Sequence, residues 1–446
     1  MRATSILAAV AALVLVAGCT REAGEKAEST NARQPAAERR DCELNGLVMS
    51  SARTESDRLF AVPSLGGEFF ELNPRTLRPF SGRRVKLKAH VGFAEISPSG
   101  RLLALASGDS SEVQVVDLER MRLRAHLELE AAGTLEAIAW VGENRLLALA
   151  PEVESNRILV VDLARGRAIR AQTLQGRVQQ AKATGGGLAV LLAPPERIGP
   201  STFALVDREG RVCSIRLPEI LSGTEGGPSE TDAEETPVRQ RTPGLALDRV
   251  GSRAFVIDAG LRIAAIDLAR LRASYHSPSE PVSLWGRFGD WLEPEATAKL
   301  LQGPERQAVY LGRDMIAVSG VGYRVEGEEV ESEPAGLRLI DAREWKVETV
   351  DTETSFLYKA GDTLFATVEA TESKGGRLRA YDVDGDLRFE LAASGPLWVS
   401  ESAAGYVYIS ESEGRRYRRV DPASGRVRRV ETETELWLIG DLALGS

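Results

Sequence analysis

The chain has 446 residues, 43% of them hydrophobic, enough to bury a large core and, by length alone, to make two or three domains. Its 65 acidic residues outnumber its 56 basic ones, and the formal net charge of −9 excludes a general attraction to nucleic acid or to an anionic lipid surface. His90, His126 and His276 lie far apart, and no HExxH motif, close His/Cys set or Gly-x-Ser-x-Gly elbow occurs, so the sequence points to no metal, no cofactor and no motif-borne catalytic residue.

The first 19 residues run from Arg2 through an apolar stretch, Ile6 to Ala17, to Val16-Ala17-Gly18-Cys19. A charged start, a greasy run too short to span a bilayer and small residues at its end make a secretion signal. The last four residues resemble the lipobox of bacterial lipoproteins. That resemblance implies that residues 1–18 are removed and that Cys19 carries the lipid, holding the mature chain to the outer face of the cytoplasmic membrane or to an outer membrane. Residues 19–42 are poor in apolar side chains and are expected to be a disordered tether. A coil of that length spans about 25 Å.

From residue 43 to the C-terminus one phrase returns, a hydrophobic strand ending in Asp or Asn before a turn. Its anchors are Asn73, Asp117, Asp162, Asp207, Asp267, Asp341, Asp382 and Asp421, at spacings of 44, 45, 45, 60, 74, 41 and 39 residues. A period near 40–45 residues is that of a propeller blade. Each anchor side chain is expected to accept hydrogen bonds from backbone about two residues on, opening the turn between the third and the outer strand. The fold expected is therefore all-β, a single β-propeller of eight four-stranded blades, or seven if the first or last unit is partial. Leu436 to Gly440 follows the last outer strand and is expected to return to the first blade and close the ring.

Two insertions account for the long spacings. Residues 222–242 are acidic and broken by Gly and Pro, the composition of a disordered loop. In residues 275–306, Leu284, Trp285, Phe288, Trp291 and Leu292 follow helical spacing and Ala296 to Leu301 continues it, so one or two short helices are expected over a rim of the ring. Trp285, Phe288 and Trp291 are the candidate partner contacts. Asp382, Asp384 and Asp386 bring together three carboxylates of the kind calcium accepts, but Asp384-Gly385 is also a natural hairpin turn. Cys42 and Cys213 are expected to stay unpaired, on the reasoning that they sit in blades too far apart for the ~7 Å reach of a disulfide.

The repeats, as in Ser97 to Leu129, resemble those of YVTN and quinoprotein-like propellers over nearly all of residues 44–440. Asp421-Pro422-Ala423-Ser424-Gly425 and the blade count resemble eight-bladed quinone-dependent dehydrogenases, whose tryptophan docking signature this chain does not reproduce. In layout the chain also resembles the propeller lipoprotein of the outer-membrane barrel-assembly machinery and propeller lipoproteins that assist sensor kinases. Together these imply a membrane-anchored extracytoplasmic lipoprotein that binds a protein or cell-envelope component without catalysis. The alternative is an extracytoplasmic enzyme of lactonase, lyase, glycosidase or quinone-dependent dehydrogenase type, acting in the central channel.

Overall fold

The computed structural model describes residues 57–64, 66–130, 133–184, 186–195, 197–225, 239–248, 252–278, 301–326, 329–370, 374–411 and 415–440. Cys19 and the tether, and Trp285, Phe288 and Trp291, lie outside them.

The described strands form eight antiparallel sheets arranged as the blades of a β-propeller. In the second blade the inner strand is Phe93–Ile96, followed outward by Leu102–Ala106, Glu112–Asp117 and Arg122–Glu128. The middle strands read as unbroken apolar runs: every residue of Leu102–Ala106 and of Gly187–Ala193 is buried. This follows from blade geometry, because both faces of a blade pack on neighbours, so alternation gives way to continuous Leu, Val and Ala. Outer strands have one edge in water and carry charge, as in Val427–Glu431, where four of the five residues are exposed.

The core is eight apolar clusters, one between each pair of consecutive blades. Phe60, Phe69 and Ile439 meet Leu103 and Val116 between blades one and two, and Tyr408 and Tyr417 meet Leu59, Leu72 and Leu438 between blades eight and one. Closure follows the sequence expectation. Leu436–Ile439 pairs with Leu59–Pro63, in the register Phe60 to Ile439 through Pro63 to Leu436, and supplies the inner strand of the first blade. Tyr408 and Arg419 of the eighth blade add bonds to the carbonyls of Pro74 (2.7 Å) and Arg75 (2.6 Å) in the first.

All eight anchors perform the turn chemistry expected of them. Asn73 Oδ1 accepts from the amides of Arg75 and Thr76, Asp162 from Ala164 and Arg165, and Asp267 from Ala269 and Arg270, at 2.9 to 3.2 Å. Asp117, Asp207, Asp341 and Asp421 make equivalent bonds. Asp382 accepts from the amides of Asp384 and Asp386, both at 3.0 Å, with Gly385 at φ +90°; this carboxylate is a turn former.

Strand direction sorts the connections. Turns from inner to second strand and from third to outer strand lie on one face of the ring, here called the turn face. Links from second to third strand, and from each blade to the next, lie on the opposite face. Both insertions leave from that opposite face, and so does an extension of the sixth blade, where Met315–Glu326 overruns its neighbours and Glu329–Pro334 folds back against it from Val321 to Glu326. We call this the insertion face.

Three expectations are corrected. The segment 222–242 is not loop throughout: Gly223, Thr224 and Glu225 pair with Arg241, Gln240 and Arg239, extending the outer strand Val212–Glu225 of blade four. Composition missed this because the ladder bonds are made by backbone, and polar side chains suit an extension with wet faces. The helical reading of 275–306 fails at both described ends: His276 closes the strand Arg272–His276, and Leu301 opens the twelve-residue strand Leu301–Gly312. The long partner strand, with Val318, Val321, Tyr323 and Val325, draws Leu301 and Gln302 into register with Arg324 and Tyr323. Finally, Cys213 is buried and disulfide-bonded. Its partner is outside the described residues, and Cys19 and Cys42 are the chain's other cysteines. The expectation of a free thiol placed Cys42 in the first blade, but the first strand begins at Leu59. The sixteen intervening residues reach about 50 Å when extended, so ring position does not constrain Cys42.

Candidate functional site on the insertion face

The inner strands present unpaired backbone edges to the central channel, and long polar side chains cover them. Gln180, on the inner strand of blade four, donates to Arg306 O (3.2 Å) on blade six and accepts from the amide of Leu245 on blade five (2.8 Å). Lys182 and Lys359 donate to Ala308 O (3.4 Å) and Leu311 O (2.9 Å) of the same blade-six strand. Blades four to seven are thus stitched at the channel edge by side chains that satisfy carbonyls a neighbouring strand would otherwise take.

At the insertion end of the same strand the arrangement becomes cationic. Ala308, Val318 and Arg338 are ladder partners, so they share the face of blade six that packs on Phe255 and Ile257 of blade five. Arg306 lies two residues from Ala308 and shares that face. It is only 6% exposed. Its Nη2 donates to Ala259 O at 2.8 Å, and its Nε has no hydrogen-bond partner among the described residues. Burial and the like charge of Arg338 push its pKa down to about 10, against the pull of Asp258. The Asp258 carboxyl is itself pushed up by burial, opposed by the amides of Arg262 and Gly260 and by the charges of Arg262 and Arg241.

Backbone details fix this placement. The Arg306 amide donates to Thr242 O at 2.8 Å, and Thr242 bridges Glu305 in parallel, so the returning end of the blade-four insertion is tied to blade six. Opposite Arg306 the chain needs glycine: at Gly320, φ is +153° and a Cβ would lie 1.8 Å from Glu305 O. Arg262 is held apart in an ion pair with Glu219 at 3.1 Å.

The turn face has a different basic feature, a groove of about 390 Å³ between blades two and three lined by Arg101, Arg120, Arg122, Arg124, Asp117 and Glu143. Its carboxylates are committed, Asp117 to the Arg120 amide (2.9 Å) and Glu143 to Ser99 Oγ (2.7 Å). Each histidine has its own surroundings: His90 faces Ser64 O (3.3 Å), His126 faces Glu112 (3.5 Å), and His276 stacks on Trp345 with centroids 3.6 Å apart. Among the described residues no group of three or more His, Cys, Asp or Glu gathers as a metal site would require. Motif reading missed Arg306 and Arg338 entirely. One signal was present: an arginine stands three residues before the anchor in three successive blades, as Arg338, Arg379 and Arg418. Arg379 pairs with Glu390 (2.8 Å), Arg418 pairs with Glu411 (2.6 Å), and the charge of Arg338 acts on Arg306.

No family model matches the chain, and no curated protein matches it. Solved structures do. A dihydro-heme d1 dehydrogenase, NirN, in complex with DHE is 12% identical, with 88% of this chain and 77% of that one covered and a TM-score of 0.55. AztD from Citrobacter koseri in its apo form is 12% identical over 87% and 99% of the two chains, TM-score 0.47. BamB from Moraxella catarrhalis is 11% identical over 85% and 95%, TM-score 0.46. These are likenesses of fold. At such identities they carry no residue across to this chain.

Proposed function

We propose that the chain is an exported lipoprotein of the YVTN and quinoprotein-like propeller class, anchored through Cys19, that serves as a non-catalytic scaffold and receives a protein or cell-envelope component on its insertion face. The observation that carries this reading is the asymmetry of the ring. Every departure from the blade period emerges on one face, in blades four to six, while the other face repeats one short turn. Insertions on a rigid repeat scaffold are where binding surfaces are placed.

The disulfide supports export, since such bonds persist in oxidising compartments. The length of 19–42, about 25 Å as a coil, gives the propeller reach from the headgroups. The aromatic trio Trp285, Phe288 and Trp291 belongs to the link between blades five and six and is assigned to the same receiving surface.

Crosslinking followed by affinity purification from the native envelope tests the scaffold reading. A variant in which 321–334 is replaced by a tight turn, and Trp285→Ala/Trp291→Ala, are each expected to stay anchored and folded while losing crosslinked species that the wild type retains. An unchanged crosslinked set in both variants contradicts it. Mass analysis of the mature N-terminus tests the anchor: lipidated Cys19 is expected, and an unmodified Met1 start contradicts it.

A further inference from the structure

A net charge of −9 denies the chain a general attraction to anionic lipid, but its charge is unevenly placed. Where the third strand turns into the outer strand, residues 73–80 of blade one and 421–428 of blade eight hold four arginines, Arg75, Arg78, Arg426 and Arg428, against one carboxylate, Asp421. All four are exposed, and none has a carboxylate within ion-pair distance among the described residues. Asp421 accepts from the amides of Ala423 (2.9 Å) and Ser424 (3.2 Å), and the acidic side chains further along are taken, Glu431 by Arg416 at 3.3 Å and Glu68 by Arg84 at 3.6 Å. Blade one adds to the excess because its anchor is the neutral Asn73, where the other seven blades carry Asp. The two turns are neighbours: Arg419, the ladder partner of Arg428, donates to Arg75 O at 2.6 Å.

Apolar side chains mark the same rim. Of the large apolar residues exposed among the described ones, Phe80, Val427 and Leu387 each stand at or next to the start of an outer strand, in blades one, eight and seven, while Val153 lies in blade three. Leu387 follows the exposed Asp384 and Asp386, so the basic stretch ends at blade eight. Strand direction also puts Leu59, where the chain enters blade one, on the turn face. Cations interspersed with single apolar tips suit a lipid interface, the cations meeting phosphates and the apolar side chains entering the acyl boundary. We propose that the turn-face rim of blades eight and one rests on the anionic headgroups of the membrane that holds the chain. This inference rests on the reading of Cys19 as the anchor, whose tether arrives at the turn face of the same blade. Blades eight and one lie across the ring from blades four and five, and the insertions leave from the opposite face. Docking therefore tilts the ring so that the receiving surface points away from the bilayer.

The test uses the full mature chain, residues 19–446, purified without acyl groups, and measures its co-sedimentation with vesicles of phosphatidylcholine alone or mixed with phosphatidylglycerol. Wild type is expected to bind the anionic vesicles in preference to the zwitterionic ones, and to release them as salt rises. Each basic side chain close to such a surface is worth about fivefold in partitioning, so Arg78→Gln/Arg426→Gln/Arg428→Gln is expected to bind about a hundredfold more weakly. Arg122→Gln/Arg167→Gln/Arg272→Gln, at exposed outer-strand positions of blades two, three and five, is expected to bind as wild type does. Equal losses in the two variants, or no preference for anionic vesicles, overturn the proposal. So does a rim variant that binds vesicles as wild type does yet loses crosslinked protein in the native envelope, because the occupant of the rim is then an acidic protein. Because the chain in this assay carries no lipid, failure here leaves Cys19 as the anchor untouched, and the mass of the mature N-terminus judges that reading separately.

Discussion

The two faces of the ring are made by the same strands and have opposite characters. On the turn face each blade closes its third strand with an anchor carboxylate or amide that satisfies nearby backbone amides, and ion pairs bind one blade to the next. Glu71 of the first blade takes Arg58 in two bonds of 2.9 Å each and also Arg83, while both arginines donate to Leu118 O of the second. Asp314 likewise joins Arg253 of blade five to Arg343 of its own blade. On the insertion face strands overrun, a bridge links Thr242 to Glu305, and a guanidinium is buried without a counter-charge among the described residues. The difference teaches that one face repeats a single turn while the other is free to diverge, and the partner binding we propose falls to the second.

Four perturbations break or sharpen that division. The largest acts on neither face but on closure: deleting 436–446 removes the inner strand of blade one and exposes Leu59, Ala61 and Phe60 along the open edge. We expect the cooperative unfolding transition to be lost, a cost above about 5 kcal/mol and so comparable to a domain's whole stability. A sharp transition surviving in calorimetry would mean the faces are not held by a closed ring.

Next is the covalent staple. Cys213→Ser, or reductant added to wild type, is expected to lower stability by about 2–4 kcal/mol in denaturant titration. No change would show that the bond at Cys213 does not brace blade four.

Glu71→Gln removes the carboxylate that Arg58 and Arg83 share in a half-buried site, and we expect a loss of about 2 kcal/mol. The pH dependence gives a sharper signature. Burial opposes ionisation of Glu71, but the two guanidinia outweigh it and hold the carboxyl below its ordinary value of 4.5. A depressed carboxylate stabilises fully above the unfolded value and loses that contribution as pH falls through the folded one. Wild type should therefore lose stability below about pH 4.5 more steeply than the variant, and parallel acid limbs would remove Glu71 as the tie between blades one and two.

The smallest effect is expected at a single anchor. Asp267→Ala frees the amides of Ala269 and Arg270 at an exposed turn and should cost about 1 kcal/mol by thermal unfolding, leaving partner capture untouched. Loss of capture without loss of stability would place binding on the turn face and reverse the assignment.

The ring was legible in the sequence because its physics repeats. Eight hydrophobic strands ending in Asp or Asn at blade spacing express one turn made eight times, and the unpaired apolar strand at Leu436 had to find an edge. What escaped was carried by backbone or by distance. The pairing of Gly223 to Glu225 with Arg239 to Arg241 leaves no apolar pattern, and the aromatic period after Leu284 suggested helix up to Leu301, where the long ladder with Met315–Glu326 prevails. Arg306 reads as an ordinary strand residue until the register sets it beside Arg338 and the neighbouring blade covers it. The disulfide was misjudged for a related reason, since ring geometry was applied to a cysteine that precedes the first strand.

The most direct test of binding on one face is site-specific photocrosslinking in the native envelope. Crosslinking residues are placed singly at Ser277 and Glu333 on the insertion face and at Arg165 and Arg270 on the turn face, all exposed positions. The account predicts discrete crosslinked species from Ser277 or Glu333 and none from Arg165 or Arg270. Crosslinks confined to the turn-face positions would contradict it.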